Sequence, residues 1–249
     1  MKARVRIDQL LTDRGLAESR SKAQALVLAG QVLADEKKIE KPGQQVNPEC
    51  EIRILGEQPR YVSRAGFKLE GALSKFGIDV QGKTCLDIGA STGGFTDCLL
   101  QHGAAKVYAV DVGTNQLHWR IRQDARVVVH EQTNAKDLTR ELVPESIQLV
   151  CCDVSFISAT LVLPPVAPLL AEGAEIVVLA KPQFEAGRGE VGKGGIVRND
   201  EIRQAAADKV RQAIDALSFR SIQQMESPLE GAQGNREILL YGRDRQLTS

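Results

Sequence analysis

Apolar and polar positions along this chain follow two different rhythms. From Gly66 onward, short continuous apolar runs alternate with amphipathic stretches of helical period. The runs predict strands near 84–88, 106–111, 126–130, 147–153, 174–180, 219–226 and 237–242. Helical periodicity predicts helices over 66–76, stopped by Gly77, and over 95–102, 158–171 and 200–217, the last capped by Asn199. Such alternation builds an α/β fold around a doubly wound, largely parallel sheet. The last two runs are joined by Glu230-Gly231-Ala232-Gln233-Gly234-Asn235, too short for a crossover helix, so they are expected to be antiparallel.

Before residue 60 the rhythm is compact and local. Ile7, Leu10 and Leu11 mark a short helix stopped by Gly15. A second helix, capped by Ser19 or Ser21, carries Ala25, Leu26 and Leu28 and stops at Gly30. Short strands follow near 32–33, 38–39 and 51–54, with turns at Asp35-Glu36 and Pro42-Gly43. Two small helices and a hairpin suit a binding module rather than an enzyme core. The expected organisation is therefore a small α+β domain over 1–58, a linker over 59–64 and the α/β domain over 65–249.

The sequence Cys85-Leu86-Asp87-Ile88-Gly89-Ala90-Ser91-Thr92-Gly93-Gly94-Phe95 reads as strand, glycine turn and helix. That arrangement brings a nucleotide-like ligand against bare backbone at the top of a parallel sheet. Gly-x-Gly-x-x-Gly fails here, so a ligand without a pyrophosphate fits better, and S-adenosylmethionine (SAM) is the obvious one. A tight βα turn also needs glycine for backbone reasons alone. Asp111 closes the next strand about 20 residues further on, the usual place of a ribose-binding carboxylate, and the two features together favour an adenosine-bearing cofactor.

Composition adds bounds. Hydrophobic residues make up 43% of the chain, enough for a packed core. Lys and Arg (32) balance Asp and Glu (32), so any nucleic-acid signal must be local. It is local at the start, where Lys2, Arg4, Arg6, Arg14, Arg20 and Lys22 face only Asp8, Asp13 and Glu18. The five cysteines show no Cys-x-x-Cys spacing and the three histidines are scattered, so no metal site is expected. No apolar run approaches the 18 residues that would suggest a membrane span, and the expected location is cytoplasmic.

Functional residues on such a sheet gather at the carboxyl ends of strands. Those ends hold Asp153 and Lys181, while Lys68 lies in the helix before the sheet and Glu237 opens the last strand. Asp153-Val154-Ser155-Phe156 lacks the prolines of the Asn/Asp-Pro-Pro-aromatic pattern used for methylation of exocyclic amines. Cys151 and Cys152 sit where a pyrimidine-methylating nucleophile would, without a supporting Pro-Cys or Thr-Cys motif. A ribose 2′-hydroxyl must lose its proton as it attacks, and a lysine oriented by carboxylates can take it. Gly187 to Lys193 satisfies Gly-x-x-x-x-Gly-Lys, but Gly194 stands where a phosphate loop has Ser or Thr. Gln183–Arg198 is expected to be a mobile loop over the site, its Arg188, Lys193 and Arg198 available to RNA phosphates.

Two resemblances sharpen these expectations. Arg6-Ile7-Asp8-Gln9-Leu10-Leu11, Ser19-Arg20-Ser21-Lys22-Ala23 and Gly30-Gln31-Val32 resemble an S4 RNA-binding domain. The set Lys68, Asp153, Lys181, Glu237 resembles the catalytic tetrad of FtsJ-like 2′-O-methyltransferases. The strings Ser63-Arg64-Ala65-Gly66-Phe67-Lys68-Leu69, Asp153-Val154-Ser155-Phe156-Ile157-Ser158, Lys181-Pro182-Gln183-Phe184-Glu185 and Gly234-Asn235-Arg236-Glu237 are similar to those of the TlyA (hemolysin A) family. The resemblance implies a class I SAM-dependent methyltransferase, with a Rossmann-like seven-stranded sheet, acting on cytidine ribose in ribosomal RNA. It implies Lys181 as base, Asp153 and Lys68 positioning the hydroxyl, and Glu237 holding a lysine. Cofactor contacts are expected from Asp87, Gly89, Ala90, Ser91, Gly93, Asp111 and Asp137. RNA contacts are expected from Arg4, Arg6, Arg20, Lys22, Arg64 and Arg188, with ribosomal RNA or ribosomal subunits as partners. The alternatives are a non-catalytic RNA-binding factor that retains SAM and a membrane-acting hemolysin, the latter without an apolar or strongly amphipathic segment to insert. The sequence does not fix the oligomeric state.

Overall fold

The structure, a computed structural model, describes residues 4–17, 19–56, 59–187 and 189–246. Contacts divide the chain into two compact units, residues 1–60 with His118–Arg120, and residues 61–117 with 121–249.

The first unit begins with β1 (Val5–Arg6), α1 (Ile7–Asp13) and α2 (Arg20–Leu28). It continues with β2 (Val32–Ala34), β3 (Lys37–Lys38), β4 (Gln45–Val46) and β5 (Ile52–Ile54). Ser19 caps α2 by accepting from Lys22 N at 3.3 Å. β2 pairs antiparallel with both β3 and β5, while β1 and β4 form a separate two-residue ladder that the periodicity did not predict. Ile7, Leu11, Ala23, Val27, Val32 and Ile39 make its own small core.

The second unit opens with α3 (Ala65–Phe76), then β6 (Thr84–Ile88), α4 (Gly94–Gln101), β7 (Lys106–Val110), the short α5 (Trp119–Arg122), whose first two residues group with the first unit, and β8 (Val127–His130). β9 (Ile147–Cys152), β10 (Leu170–Ala180), α6 (Pro182–Glu185), α7 (Asp200–Asp215), β11 (Ser221–Glu226) and β12 (Ile238–Arg243) complete it. The sheet runs β11-β12-β10-β9-β6-β7-β8. Its central pairs are parallel, and β12 lies antiparallel between β10 and β11, as the short final loop requires. Along β6, Leu86 and Ile88 pack into the core on one face and Cys85 into the core on the other, the two-sided burial that makes parallel strands read as continuous apolar runs.

One expected helix is absent. Residues 158–171 form two 3-10 turns, Ala159–Leu161 and Pro164–Leu169, instead of an α-helix. Pro164, Pro165 and Pro168 remove the amide donors an α-helix would use, and Val166 and Leu169 are buried without one. Part of the segment 183–198, expected as a loop, has defined structure. Its first residues belong to α6, and the buried Asn235 holds the later ones, accepting from Val197 N at 3.0 Å and donating to Gly195 O at 2.9 Å. The Gly187–Lys193 stretch thus follows α6 rather than joining a strand to a helix, which removes the phosphate-loop reading.

Candidate active site

Four ionisable side chains converge at the carboxyl end of the sheet. Lys68 comes from the first turn of α3, Asp153 from the residue after β9, Lys181 from the residue after β10, and Glu237 from the residue before β12. Because β10 lies between β9 and β12, their ends place Asp153, Lys181 and Glu237 side by side. Lys68 Nζ pairs with Glu237 Oε2 at 2.5 Å, and Lys181 Nζ with Asp153 Oδ1 at 2.6 Å. Lys181 also donates to Ser155 Oγ at 2.8 Å. Lys68 is 5% exposed and Glu237 2%, a degree of burial that lysine and glutamate tolerate only when paired. These four line a cavity of about 690 Å³ together with Arg64, Ser155 and Phe156.

A second cavity, of about 490 Å³, adjoins it. Gly89, Ser91, Asp111, Asn134 and Ala135 line it, and Asp153, Ser155 and Phe156 belong to the walls of both. A narrower space of about 140 Å³, bounded by Gly89, Ala90, Ser91, Asp153 and Lys181, lies against the same residues. Gly89 holds φ +83°, and a Cβ there would stand 2.5 Å from the Asp153 carbonyl oxygen, so the loop approaches the β9 end only without a side chain. The Asp111 carboxylate accepts from Ser91 N at 2.8 Å and Gly113 N at 2.7 Å, fixing the glycine loop to the β7 exit while each oxygen keeps a lone pair.

Asp87 is fully buried below this loop. Its Oδ2 accepts from Thr96 Oγ1 at 2.6 Å, and its Oδ1 has no partner. Burial pushes its carboxyl up to about 7 despite the Thr96 bond, with like charge on Asp153 adding to the effect.

Other expected residues are placed differently. Gly93 is the N-cap of α4, and a Cβ on it would meet Leu117, so it shapes the turn rather than the cavity wall. Asp137 is exposed at the end of a 3-10 turn, outside the cavity lining, whereas Asn134 and Ala135 of the same segment face the cavity. Cys151 and Cys152 are wholly buried, and burial raises both thiols, so neither supplies the thiolate that carbon methylation needs. Ser155, not among the expected residues, is in contact with Lys181; its place two residues after Asp153 in the strand-end motif is the signal that marks it.

In the first unit, Arg4 and Lys22 are exposed. Arg6 and Arg20 instead reach Asp8, at 2.8 and 3.1 Å, and Gln24 donates to the same carboxylate at 3.0 Å. Both arginines remain substantially exposed, so each has guanidinium donors left for another acceptor. Arg188 lies outside the described residues. The Arg6 hydrogen bond, with Gln24 and Arg20 adding, holds the Asp8 carboxyl well below its ordinary value of 3.8. This lowered value contributes stability that is fully present above about pH 4 and is lost as pH falls below that. Asp8→Asn should therefore be less stable than the wild-type chain at neutral pH, with the two stabilities converging toward pH 2 in thermal melts. Parallel curves throughout would show that Asp8 is not held as described.

Among the described residues, no helix is long and apolar enough to cross a membrane. Comparison with known proteins agrees with both units. Residues 61–244 match the FtsJ-like methyltransferase family and residues 5–52 match the S4 domain. The chain is 46% identical over 238 residues to Hemolysin A of Brachyspira hyodysenteriae, covering 95% of this chain and 99% of that protein. It is 44% identical over 253 residues to the 16S/23S rRNA (cytidine-2'-O)-methyltransferase TlyA of Mycobacterium tuberculosis, covering 100% of this chain and 94% of that one. A solved structure named "Putative hemolysin from Streptococcus thermophilus" superposes with a TM-score of 0.72 at 42% identity, covering 99% of this chain and 90% of that chain. With the match extending through the whole sheet and all four converging side chains, the chain belongs to the FtsJ-like methyltransferase family, and it carries an S4 domain ahead of that catalytic unit.

Proposed function

We propose that this protein methylates the 2′-hydroxyl of a cytidine ribose in ribosomal RNA, with SAM as the methyl donor. The observation that carries the reading is the pair of lysine–carboxylate contacts, Lys181–Asp153 and Lys68–Glu237, in a cavity that shares Asp153, Ser155 and Phe156 with a nucleoside-sized neighbour.

The residues of the 490 Å³ cavity fit SAM. Asp111 retains acceptor capacity for ribose hydroxyls, and Gly89 and Ser91 border the cavity beside it. SAM supplies an electrophilic methyl on a sulfonium and departs as a neutral thioether. Asp111→Ala should weaken SAM binding by about tenfold or more, from the loss of charge-assisted hydrogen bonds and of the loop anchor. Calorimetric titration checks this, and an unchanged Kd would remove Asp111 from the cofactor site.

The other cavity takes the substrate nucleotide. Lys181 Nζ accepts the proton of the ribose hydroxyl as its oxygen attacks, with Asp153 fixing the amine. Lys68 places a cation beside the developing alkoxide, and Glu237 balances that cation in the ground state. The buried cysteines and the missing Asn/Asp-Pro-Pro-aromatic pattern leave no comparable machinery for base methylation.

The cytidine and ribosomal RNA assignment rests on the TlyA relative's name and on the S4 match. On this reading the protein acts in the cytoplasm, with ribosomal subunits or their RNA as partners. Incubation of tritiated SAM with small and large subunits lacking the modification tests it. Label in ribosomal RNA is expected; bound SAM with no transfer to either subunit would favour the non-catalytic binding factor.

A further inference from the structure

Lys181 makes a contact that the four-residue set does not include. Ser155 Oγ accepts a hydrogen bond from Nζ at 2.8 Å, in addition to the 2.6 Å ion pair that Nζ makes with Asp153. An amine held by a carboxylate alone can still turn about its Cε–Nζ bond. A hydroxyl acceptor in a fixed position beside the carboxylate removes that freedom. The hydrogen bond to Ser155 fixes one of the three positions on Nζ, the ion pair draws the amine to the Asp153 carboxylate, and a position is left for the proton it receives.

The turn carrying Ser155 is held on both sides. Phe156 adopts φ +65°, a left-handed conformation costly for an aromatic residue, and its ring meets that of Phe184 at 5.3 Å. Beyond it, Glu185 accepts from Ser158 Oγ at 2.5 Å and from Ala159 N at 2.7 Å. The segment after β9 is thus stitched to the segment after β10 at three places: Asp153 and Ser155 to Lys181, Phe156 to Phe184, and Ser158–Ala159 to Glu185. Strain at Phe156 sustained by such stitching indicates that the position of Ser155 is imposed by the fold. Ser155 also borders all three adjoining cavities, the place where a methyl donor and a ribose hydroxyl would meet.

We infer that Ser155 is a positioning residue for methyl transfer, its hydroxyl holding Lys181 Nζ so that the remaining position of the amine faces the ribose hydroxyl. The inference rests on the ribose-methylating reading above. Ser155 is exposed, so its replacement removes a hydroxyl without opening a core.

The test compares wild-type protein, Ser155→Ala and Ser155→Thr for kcat and KM with unmodified ribosomal RNA, and for SAM Kd by equilibrium dialysis. Misorientation of a proton acceptor without loss of ground-state contacts should lower kcat of Ser155→Ala roughly tenfold, with KM and Kd within about twofold of wild type. Ser155→Thr, which keeps the hydroxyl, should recover most of kcat. An alanine variant with wild-type kcat overturns the inference, as does a threonine variant as impaired as alanine. A raised KM at unchanged kcat also overturns it, since Ser155 would then bind RNA rather than orient Lys181. Wild-type protein that transfers no methyl to ribose would refute the proposed function itself and the role of Ser155 with it.

Discussion

Lys181→Ala lowers kcat for methyl transfer by about 10³-fold, within the range a positioned general base contributes, while the Kd for SAM stays within about twofold. The separation follows from the geometry. Lys181 Nζ touches Asp153 and Ser155 and borders the substrate cavity, but it is not among the walls of the 490 Å³ cavity assigned to the cofactor. Lys181→Arg is the sharper variant. A guanidinium can satisfy Asp153 yet cannot serve as a base, because it is not deprotonated in proteins. It should therefore preserve the fold and remain nearly as inactive as alanine. Substantial activity in the arginine variant would show that a cation, not a proton acceptor, is what position 181 supplies.

Glu237→Ala destabilises the protein by about 3–5 kcal/mol, because Lys68 is left buried with its ammonium uncompensated. Removing both charges has a different consequence. The double variant Lys68→Met with Glu237→Leu fills similar volume and discards both desolvation penalties, so its stability should lie within about 1–2 kcal/mol of wild type. It should nevertheless transfer no methyl. Urea titration of the three proteins, followed by an activity assay on the double variant, checks the pair of outcomes. A fully active double variant would make the Lys68–Glu237 pair purely structural. A stable Glu237→Ala would mean that the pair is more solvated than its burial indicates.

These expectations draw on features of unequal legibility. The glycine turn, Asp111 and the ends of β9 and β10 were readable because parallel strands buried on both faces leave unbroken apolar runs whose last residue is conspicuous. The reversed last pair was readable from the short loop before β12. Residues 158–171 were not, because an apolar run buried against the sheet carries the same periodic signal whether its backbone is an α-helix or 3-10 turns, and three prolines decided the matter. Charge counting likewise showed that the first helices are basic without showing that Arg6 and Arg20 reach inward to Asp8. Asp137 drew notice by residue type, while the cavity is lined by its neighbours Asn134 and Ala135, whose contribution is shape and backbone. The segment 183–198 contains glycines at 187, 189, 192, 194 and 195, and the Asn235 carboxamide that bonds its last part lies 38 residues from Val197, beyond any local pattern. Ser155 stands in the strand-end motif, but a serine there has no chemistry of its own until the fold sets an amine beside it.

The central claim is that the methyl arrives on a ribose oxygen, and the chemistry of RNA itself reports this. Alkaline hydrolysis cleaves RNA through attack of a free 2′-hydroxyl on the adjacent phosphate, so a 2′-O-methylated nucleotide survives with its 3′ neighbour as a dinucleotide. Ribosomal RNA labelled by the wild-type protein with tritiated SAM should yield its label in alkali-resistant dinucleotides whose 5′ nucleoside is cytidine, with none from the Lys181→Ala protein. Label recovered in mononucleotides would place the methyl on a base, and the account built on Lys181, Asp153, Lys68 and Glu237 would be wrong.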